Sequence, residues 1–246
     1  MSNPRPRLEQ WRQALLDGAV ELGLSIAEQQ LSAHGTHFEL LLSHRPRAGL
    51  TALTDPTEIA IKHFLDSLTC LLVCEIAPGE RVADVGSGAG FPGLVLAAAR
   101  PLASYTLIEA HQKRAAFLRE AASALSFPNV TVLSGRAEEV GHDPDHRECY
   151  DLVVSRAVAP LGTLLEYCLP LAKRGAHFLA QKGPDAPGEI EESAHALQAL
   201  GGRVTRARHL SLPRGMGDRV LVLVEKTGST PSRYPRRPGL PAKRPL

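Results

Sequence analysis

The segment Asp84-Val-Gly-Ser-Gly-Ala-Gly-Phe-Pro-Gly93 constrains the fold of this chain more than any other stretch. A short β-rich run, Arg81 to Val85, leads into it, and an apolar helical run, Gly93 to Arg100, leads out of it. Glycine lets the main chain turn sharply and lie bare against a ligand at the carboxyl edge of a parallel sheet. Strand, glycine loop and helix together therefore predict a nucleotide-type site on an α/β fold.

The rest of the chain supports that architecture. After Pro78-Gly79, β-rich runs alternate with helical ones in the manner of repeated β-α units. Strands are predicted at Arg81 to Val85, Ser104 to Ile108, Val130 to Leu133, Leu152 to Ser155, Ala176 to Gln181, Val204 to His209 and Val220 to Glu225. Helices are predicted at Gly93 to Arg100, Gln112 to Leu125, Pro160 to Leu169 and Glu189 to Leu200. Only the loop Ser211 to Asp218 joins the last two strands, which predicts a terminal antiparallel hairpin. The fold class is thus α/β: a doubly wound, mostly parallel, seven-stranded, Rossmann-like sheet.

Upstream, Leu8, Trp11, Leu15, Ala19 and Leu22 recur at helical spacing, and a second such pattern runs from Ile26 to Leu42. Thr54 and Asp55 before Pro56 make a helix start, because a short polar side chain caps free amides and proline suits the first turn. We read residues 1–78 as a helical N-terminal cap, 79–226 as the sheet domain and 227–246 as a basic, proline-rich tail of disordered composition.

Charge and cysteine usage narrow the setting. The net charge is +2, yet the tail holds Arg233, Arg236, Arg237, Lys243 and Arg244 with no acid, which leaves −3 on the remainder. A basic tail beside a mildly acidic body suits a phosphate-rich partner. No apolar run approaches the roughly 20 residues that span a bilayer. Four irregularly spaced cysteines (Cys70, Cys74, Cys149, Cys168) read as reduced thiols of a cytoplasmic protein.

The ligand of the glycine loop is the open question. Gly88, Gly90 and Gly93 satisfy the G-x-G-x-x-G pattern of dinucleotide sites. Asp84 favours S-adenosylmethionine instead: its carboxylate would repel a pyrophosphate and attract the ammonium of a methionine moiety. Glu109, at the end of the second strand, suits a pair of ribose hydroxyls, and this holds for either cofactor. Gly135-Arg-Ala-Glu-Glu-Val140 follows the third strand, where an acid and a main-chain amide suit an adenine edge. Ser155-Arg156 and Gln181-Lys182-Gly183 end the fourth and fifth strands on the same edge.

Taken together, these motifs and the upstream run Leu50 to Leu68 (Leu-Thr-Ala-Leu-Thr-Asp-Pro-Thr-Glu-Ile-Ala-Ile-Lys-His-Phe-Leu-Asp-Ser-Leu) closely resemble the bacterial small-subunit rRNA guanine-N7 methyltransferases, the RsmG or GidB family. The resemblance covers nearly the whole chain, including the ending Ser232 to Leu246. It implies a class I methyltransferase using S-adenosyl-L-methionine, with Gly86, Phe91, Glu109, Ala137, Glu138 and Arg156 at the cofactor, to which the reading of the loop itself adds Asp84 and Gly88. The implied substrate is a guanine in the decoding-region loop of 16S rRNA, free or in the small ribosomal subunit, and the implied enzyme is a cytoplasmic monomer. Where the family has an Asn before Leu-Thr and a basic residue before Asp-Pro, this chain has Gly49 and Thr54. An NAD-type oxidoreductase and a non-catalytic RNA or ribosome assembly factor are the alternatives.

Guanine N7 carries an in-plane lone pair and no proton, so its methylation needs alignment rather than a general base. We therefore assign no base, and give Arg156 and Lys182 a positioning role on a phosphate or base near the methyl group. No metal is expected: His142, His146 and Cys149 fall in a polar loop, and the chemistry does not call for one. His63, with Lys62 and Asp66, is read as a packing network between cap and sheet, with RNA contact as the second reading. Lys113, Arg114, Arg119 and Arg156 join the tail as the expected RNA-facing cations. Aromatic residues, at 4%, are too few for a flat base-stacking platform.

Overall fold

A computed structural model of the chain describes residues 4–156 and 158–246. Two long helices, α1 (Pro4–Glu21) and α2 (Glu28–Ala48), open it. A continuous helical segment follows: α3 (Pro56–Ile59), a π-helical stretch (Ala60–Leu65), α4 (Asp66–Leu68) and a 3-10 turn (Thr69–Leu72). Its start is chemically specified, since the Asp55 carboxylate accepts the Glu58 amide at 2.9 Å and Pro56 needs no amide partner.

The sheet domain runs β1 (Arg81–Val85), α5 (Gly93–Ala99), β2 (Ser104–Glu109), α6 (Gln112–Ala124), β3 (Val130–Ser134), α7 (Ala137–Val140), β4 (Tyr150–Arg156), α8 (Leu161–Cys168) and β5 (Ala172–Lys182). It continues through α9 (Ala186–Glu192), α10 (Ala194–Leu200), β6 (Gly202–Ser211) and β7 (Asp218–Lys226), and a short α11 (Leu240–Lys243) lies in the tail. The seven strands lie in the order β3-β2-β1-β4-β5-β7-β6; the first five are parallel, and β7 enters antiparallel between β5 and β6. The seven predicted strands are present, β1 with the predicted bounds and the other six lengthened by one to five residues. The predicted helix 189–200 is two helices, broken at Ser193.

Both faces of the sheet are buried, as parallel pairing with crossover helices requires. Ala83, Val85, Val153, Phe178 and Ala180 face α8 and α10, while Val82, Tyr105, Leu152, Val154 and Leu179 face the opposite layer with Leu96 of α5. The cap is not a separate body. Trp11, Leu15, Phe38, Leu41, Phe64 and Leu65 share one apolar cluster with Leu94 and Val95 of α5 and Phe117 and Leu118 of α6. The few aromatic side chains concentrate here: Trp11 stacks on Phe38 and meets Phe64 edge-on, both at about 5 Å, and Phe64 meets Phe91 edge-on at 5.1 Å.

The tail corrects the sequence reading. Its proline-rich composition predicts disorder, yet it is folded back along α7 and α8. The Arg147 guanidinium donates to the carbonyls of Tyr234 and Thr230 at 2.8 Å each. The buried Glu166 carboxylate takes a two-pronged ion pair from Arg236, 2.7 Å at its shortest. Composition scores the cost of ordering a segment, whereas these partners lie 70 to 87 residues upstream in sequence.

Two histidines of α2 carry a pH dependence. His34 and His37 are fully buried among the aromatic rings, and burial pushes their imidazoles down to about 3 and about 4 respectively. Each is therefore neutral when folded and protonated below about 6.5 when unfolded, so stability is full above that pH and lost as pH falls from 6.5 toward 4. At pH 5 each should cost about 2 kcal/mol relative to pH 8. Urea unfolding midpoints measured from pH 8 to pH 5 should fall, and His34→Leu should flatten the slope.

Candidate functional site

The site is built where β1 and β2 deliver their ends to the glycine loop. The amides of Gly86 and Ser87 donate to the Ile108 carbonyl at 2.9 and 3.2 Å, which moors the loop to β2. Gly86 has a φ of +76° and approaches Val158 so closely that an added Cβ would lie 2.4 Å from its Cγ2. Over Gly88 the space is open: a Cβ there would meet nothing nearer than the Gly86 carbonyl oxygen at 3.9 Å. That open space belongs to a cavity of about 480 Å³, within the usual range for small-molecule sites.

Around this cavity the structure brings together Gly86, Gly88, Phe91, Glu109, Ala137, Glu138 and Arg156 from four separate strand ends. The Glu109 carboxylate is buried; Oε2 accepts the Gly88 amide at 2.9 Å and Oε1 the His111 amide at 2.8 Å. His111 Nδ1 also meets Oε1, at 3.1 Å, so Oε2 is the oxygen that keeps a lone pair for a ligand hydroxyl. Glu138 is likewise buried, and its Oε1 accepts the Gly239 amide at 2.9 Å.

Asp84 is placed differently from the sequence reading. Alternation along β1 sends Val85 to the cavity and Asp84 beneath the loop, where it is 1% exposed and does not line the cavity. Its Oδ2 accepts the amide of Gly93, the first residue of α5, at 2.9 Å, and burial pushes its carboxyl up to about 7. Asp84 thus ties strand to helix. Gly93 is required for that contact, because a Cβ there would sit 2.6 Å from Oδ2 and 2.4 Å from Leu107.

Arg156 lies at the cavity but is not a free cation. Its Nη1 donates to the Lys62 carbonyl at 3.0 Å and to the Asp66 carboxylate at 3.2 Å, and its guanidinium lies 5.1 Å from the Phe91 ring centre. Phe91 also stacks against His37 and His63 at 4.8 and 4.7 Å. His63 bonds Thr51 Oγ1 through Nε2 at 2.8 Å, and burial pushes its imidazole down to about 3. This packing network is the one the sequence suggested, and His63 additionally borders the cavity.

Lys182 does not reach the cavity. Its ammonium donates to the Ala159 carbonyl at 2.9 Å and pairs with Glu189 at 2.8 Å, so it braces the segment that carries Val158 and Ala159 along the cavity wall. Gln181 has a similar bracing role, donating to the Asp66 carbonyl at 2.6 Å. Ala157 lies outside the described residues. His142 and His146 turn to separate partners, the Pro235 carbonyl and the Tyr150 hydroxyl. Residues that sequence reasoning missed are His37, buried against Phe91, and Tyr167 and Ala242 at the cavity. The last two lie on α8 and in the tail, with no local motif to flag them.

The profile of the family described as GidB, rRNA small subunit methyltransferase G, matches residues 30–217. The chain belongs to that family. It is 46% identical over 234 residues to the ribosomal RNA small subunit methyltransferase G of Pelotomaculum thermopropionicum, covering 95% of this chain and 98% of the relative. With the protein of the same description from Symbiobacterium thermophilum it shares 48% over 241 residues, covering 96% and 98%. Among solved structures, TrmN from Thermus thermophilus aligns with a TM-score of 0.51 at 22% identity, over 75% of this chain and 53% of that one. M. jannaschii TYW2 in complex with AdoMet aligns with a TM-score of 0.53 at 15% identity, over 67% and 76%. These likenesses place the fold among the class I methyltransferases.

As a member of the GidB family, the chain is a methyltransferase with S-adenosylmethionine as methyl donor, and the cavity fits that molecule. It has the volume, an open glycine cradle at Gly88 and a buried carboxylate with a spare acceptor at Glu109 Oε2. Glu109→Ala should raise the dissociation constant for S-adenosylmethionine at least about tenfold, the equivalent of 1.4 kcal/mol. Calorimetric titration of the variant checks this, and unchanged affinity would remove Glu109 from the site.

Proposed function

We propose that this chain transfers the methyl group of S-adenosylmethionine to N7 of one guanine in the decoding-region loop of 16S rRNA. The bound cofactor supplies a sulfonium-activated methyl group; the protein supplies place and orientation. Glu109 would hold the ribose hydroxyls, the Gly86–Gly88 main chain the methionine end, and the Ala137–Glu138 turn the adenine edge. Asp84 acts through α5 and the loop it fixes.

The observation that carries the reading is the state of the polar groups at the cavity. Glu109 and Glu138 both accept main-chain amides, and His63 has both ring nitrogens occupied, Nε2 by Thr51 and Nδ1 by the Lys62 carbonyl at 3.2 Å. His63, its imidazole pushed down to about 3, is too weak a base to take a proton near neutral pH, and Glu109 and Glu138 serve as acceptors that hold loops and hydroxyls in place. A nucleophile that brings its own lone pair and loses no proton suits such a site, and guanine N7 is one. Aligning nucleophile, methyl carbon and leaving sulfur is worth several kcal/mol, on the order of 7 to 11 in the best intramolecular cases. The names of the relatives point to small-subunit rRNA as the source of that base.

Arg156 is the positioning residue. Its guanidinium joins the 62–66 segment to Phe91, so it fixes the rim against which the target base must lie. Tritium transfer from labelled cofactor to unmethylated small-subunit particles should place label on one guanine N7. Arg156→Ala should lower kcat/KM about a hundredfold, ~2.7 kcal/mol, while Asp66 keeps Arg219 as a partner at 3.2 Å. Binding of NAD in place of the methyl donor would overturn the cofactor; cofactor binding without labelled RNA would overturn the substrate.

A further inference from the structure

The C-terminal segment makes contacts that neither the glycine-loop motif nor the fold of the sheet explains. Five separate anchors hold it. Arg147 grips the carbonyls of Thr230 and Tyr234, and His142 donates to Pro235 at 2.6 Å. Glu166, fully buried, accepts both the Arg236 guanidinium and the Arg236 main-chain amide, the latter at 2.7 Å. Glu138 accepts the Gly239 amide, and Thr163 donates to the Pro241 carbonyl at 3.2 Å. Arg236 also donates to the Arg244 carbonyl at 2.8 Å, which closes the segment on itself. The result is a strap whose Ala242 lies at the edge of the cofactor cavity, beside Glu138 and Tyr167.

The outer side of the strap is charged. Arg237, Lys243 and Arg244 are exposed, and among the described residues none of their side chains pairs with a carboxylate. Arg136, also exposed, lies on the cavity rim, and Arg114 joins it from α6. Cations left unneutralised around the mouth of a site raise the local concentration of polyanions, and RNA phosphates are the matching chemistry.

We infer that the strap is a working part of the active site: Ala242 walls the cofactor cavity, while Arg237 and Lys243 hold backbone phosphates of the RNA that presents the target base. This rests on the RNA reading above and adds the surface that grips the substrate. The anchors explain the arrangement, because a segment that must hold an anion beside the methyl donor has to be rigid and not a solvated tail. Composition near the end of the chain thereby serves geometry at the centre of it.

Two variants test this on the full chain. Arg237→Ala with Lys243→Ala changes only exposed side chains and should leave the S-adenosylmethionine dissociation constant within twofold. It should raise the dissociation constant for transcribed 16S rRNA about tenfold and make its salt dependence shallower by about one to two units of log-log slope. Unchanged RNA affinity and slope would overturn the grip. Ala242→Trp fills the cavity edge and should weaken S-adenosylmethionine at least fivefold; unchanged affinity would overturn the wall. Both readouts are binding measurements, so they succeed or fail separately from the labelling experiment, which alone judges the methylated atom.

Discussion

One buried hydrogen bond holds the site in register: the Asp84 carboxylate on the amide of Gly93. It joins the end of the central strand to the first residue of the following helix, and the ligand loop is what remains between them. With both ends fixed, the loop has little freedom but to arch over the sheet edge, and the positive φ of Gly86, Gly88 and Gly90 is the consequence. Burying a carboxylate to achieve this is costly, as its raised pKa records. The cost is local and the return is a loop whose main-chain amides point the same way in every molecule.

From that point the remaining parts of the cavity follow by topology. Parallel strands all end on one edge, so residues far apart in sequence arrive together without any direct relation between them. Gly88 and Glu109 meet because β1 pairs with β2, and Arg156 joins because β4 pairs with β1 on the other side. The cap closes the arrangement through Phe91, which touches the cap histidines, the 62–66 segment and the cavity at once. Cofactor loop and cap are therefore one mechanical unit, joined through the Phe91 ring and through the 2.8 Å hydrogen bond of His37 to the Ala89 carbonyl.

How much of this the sequence disclosed depends on whether the signal was local. Strands were legible because β-branched and apolar runs bounded by turn residues have few other uses, and the start at Asp55-Pro56 was legible because capping is a short-range effect. The π-helical stretch 60–65 was not, since no residue in it forbids an ordinary helix and its surroundings, chiefly α1, lie far away in sequence. Asp84 was assigned by its charge when its position in the strand alternation governs what it touches. Lys182 looked like a site cation because it ends a strand on the right edge, but an acid seven residues on, Glu189, captures it. The order of the tail is not legible in composition, because proline and arginine content reports on a segment alone, and this one is ordered by the carboxylates of Glu138 and Glu166 and by the donors Arg147, His142 and Thr163 elsewhere.

The position of β7 has a temporal consequence. Among the described residues β6 pairs with no strand except β7, and β7 fills the gap between β6 and β5. During synthesis β6 is made first and has nowhere to dock, so its alternating edge stays unpaired until the following strand is available to zip against both neighbours at once. The parallel half can assemble as it emerges, each strand finding its place beside one already present. The antiparallel half must wait, and the sheet closes in one late step.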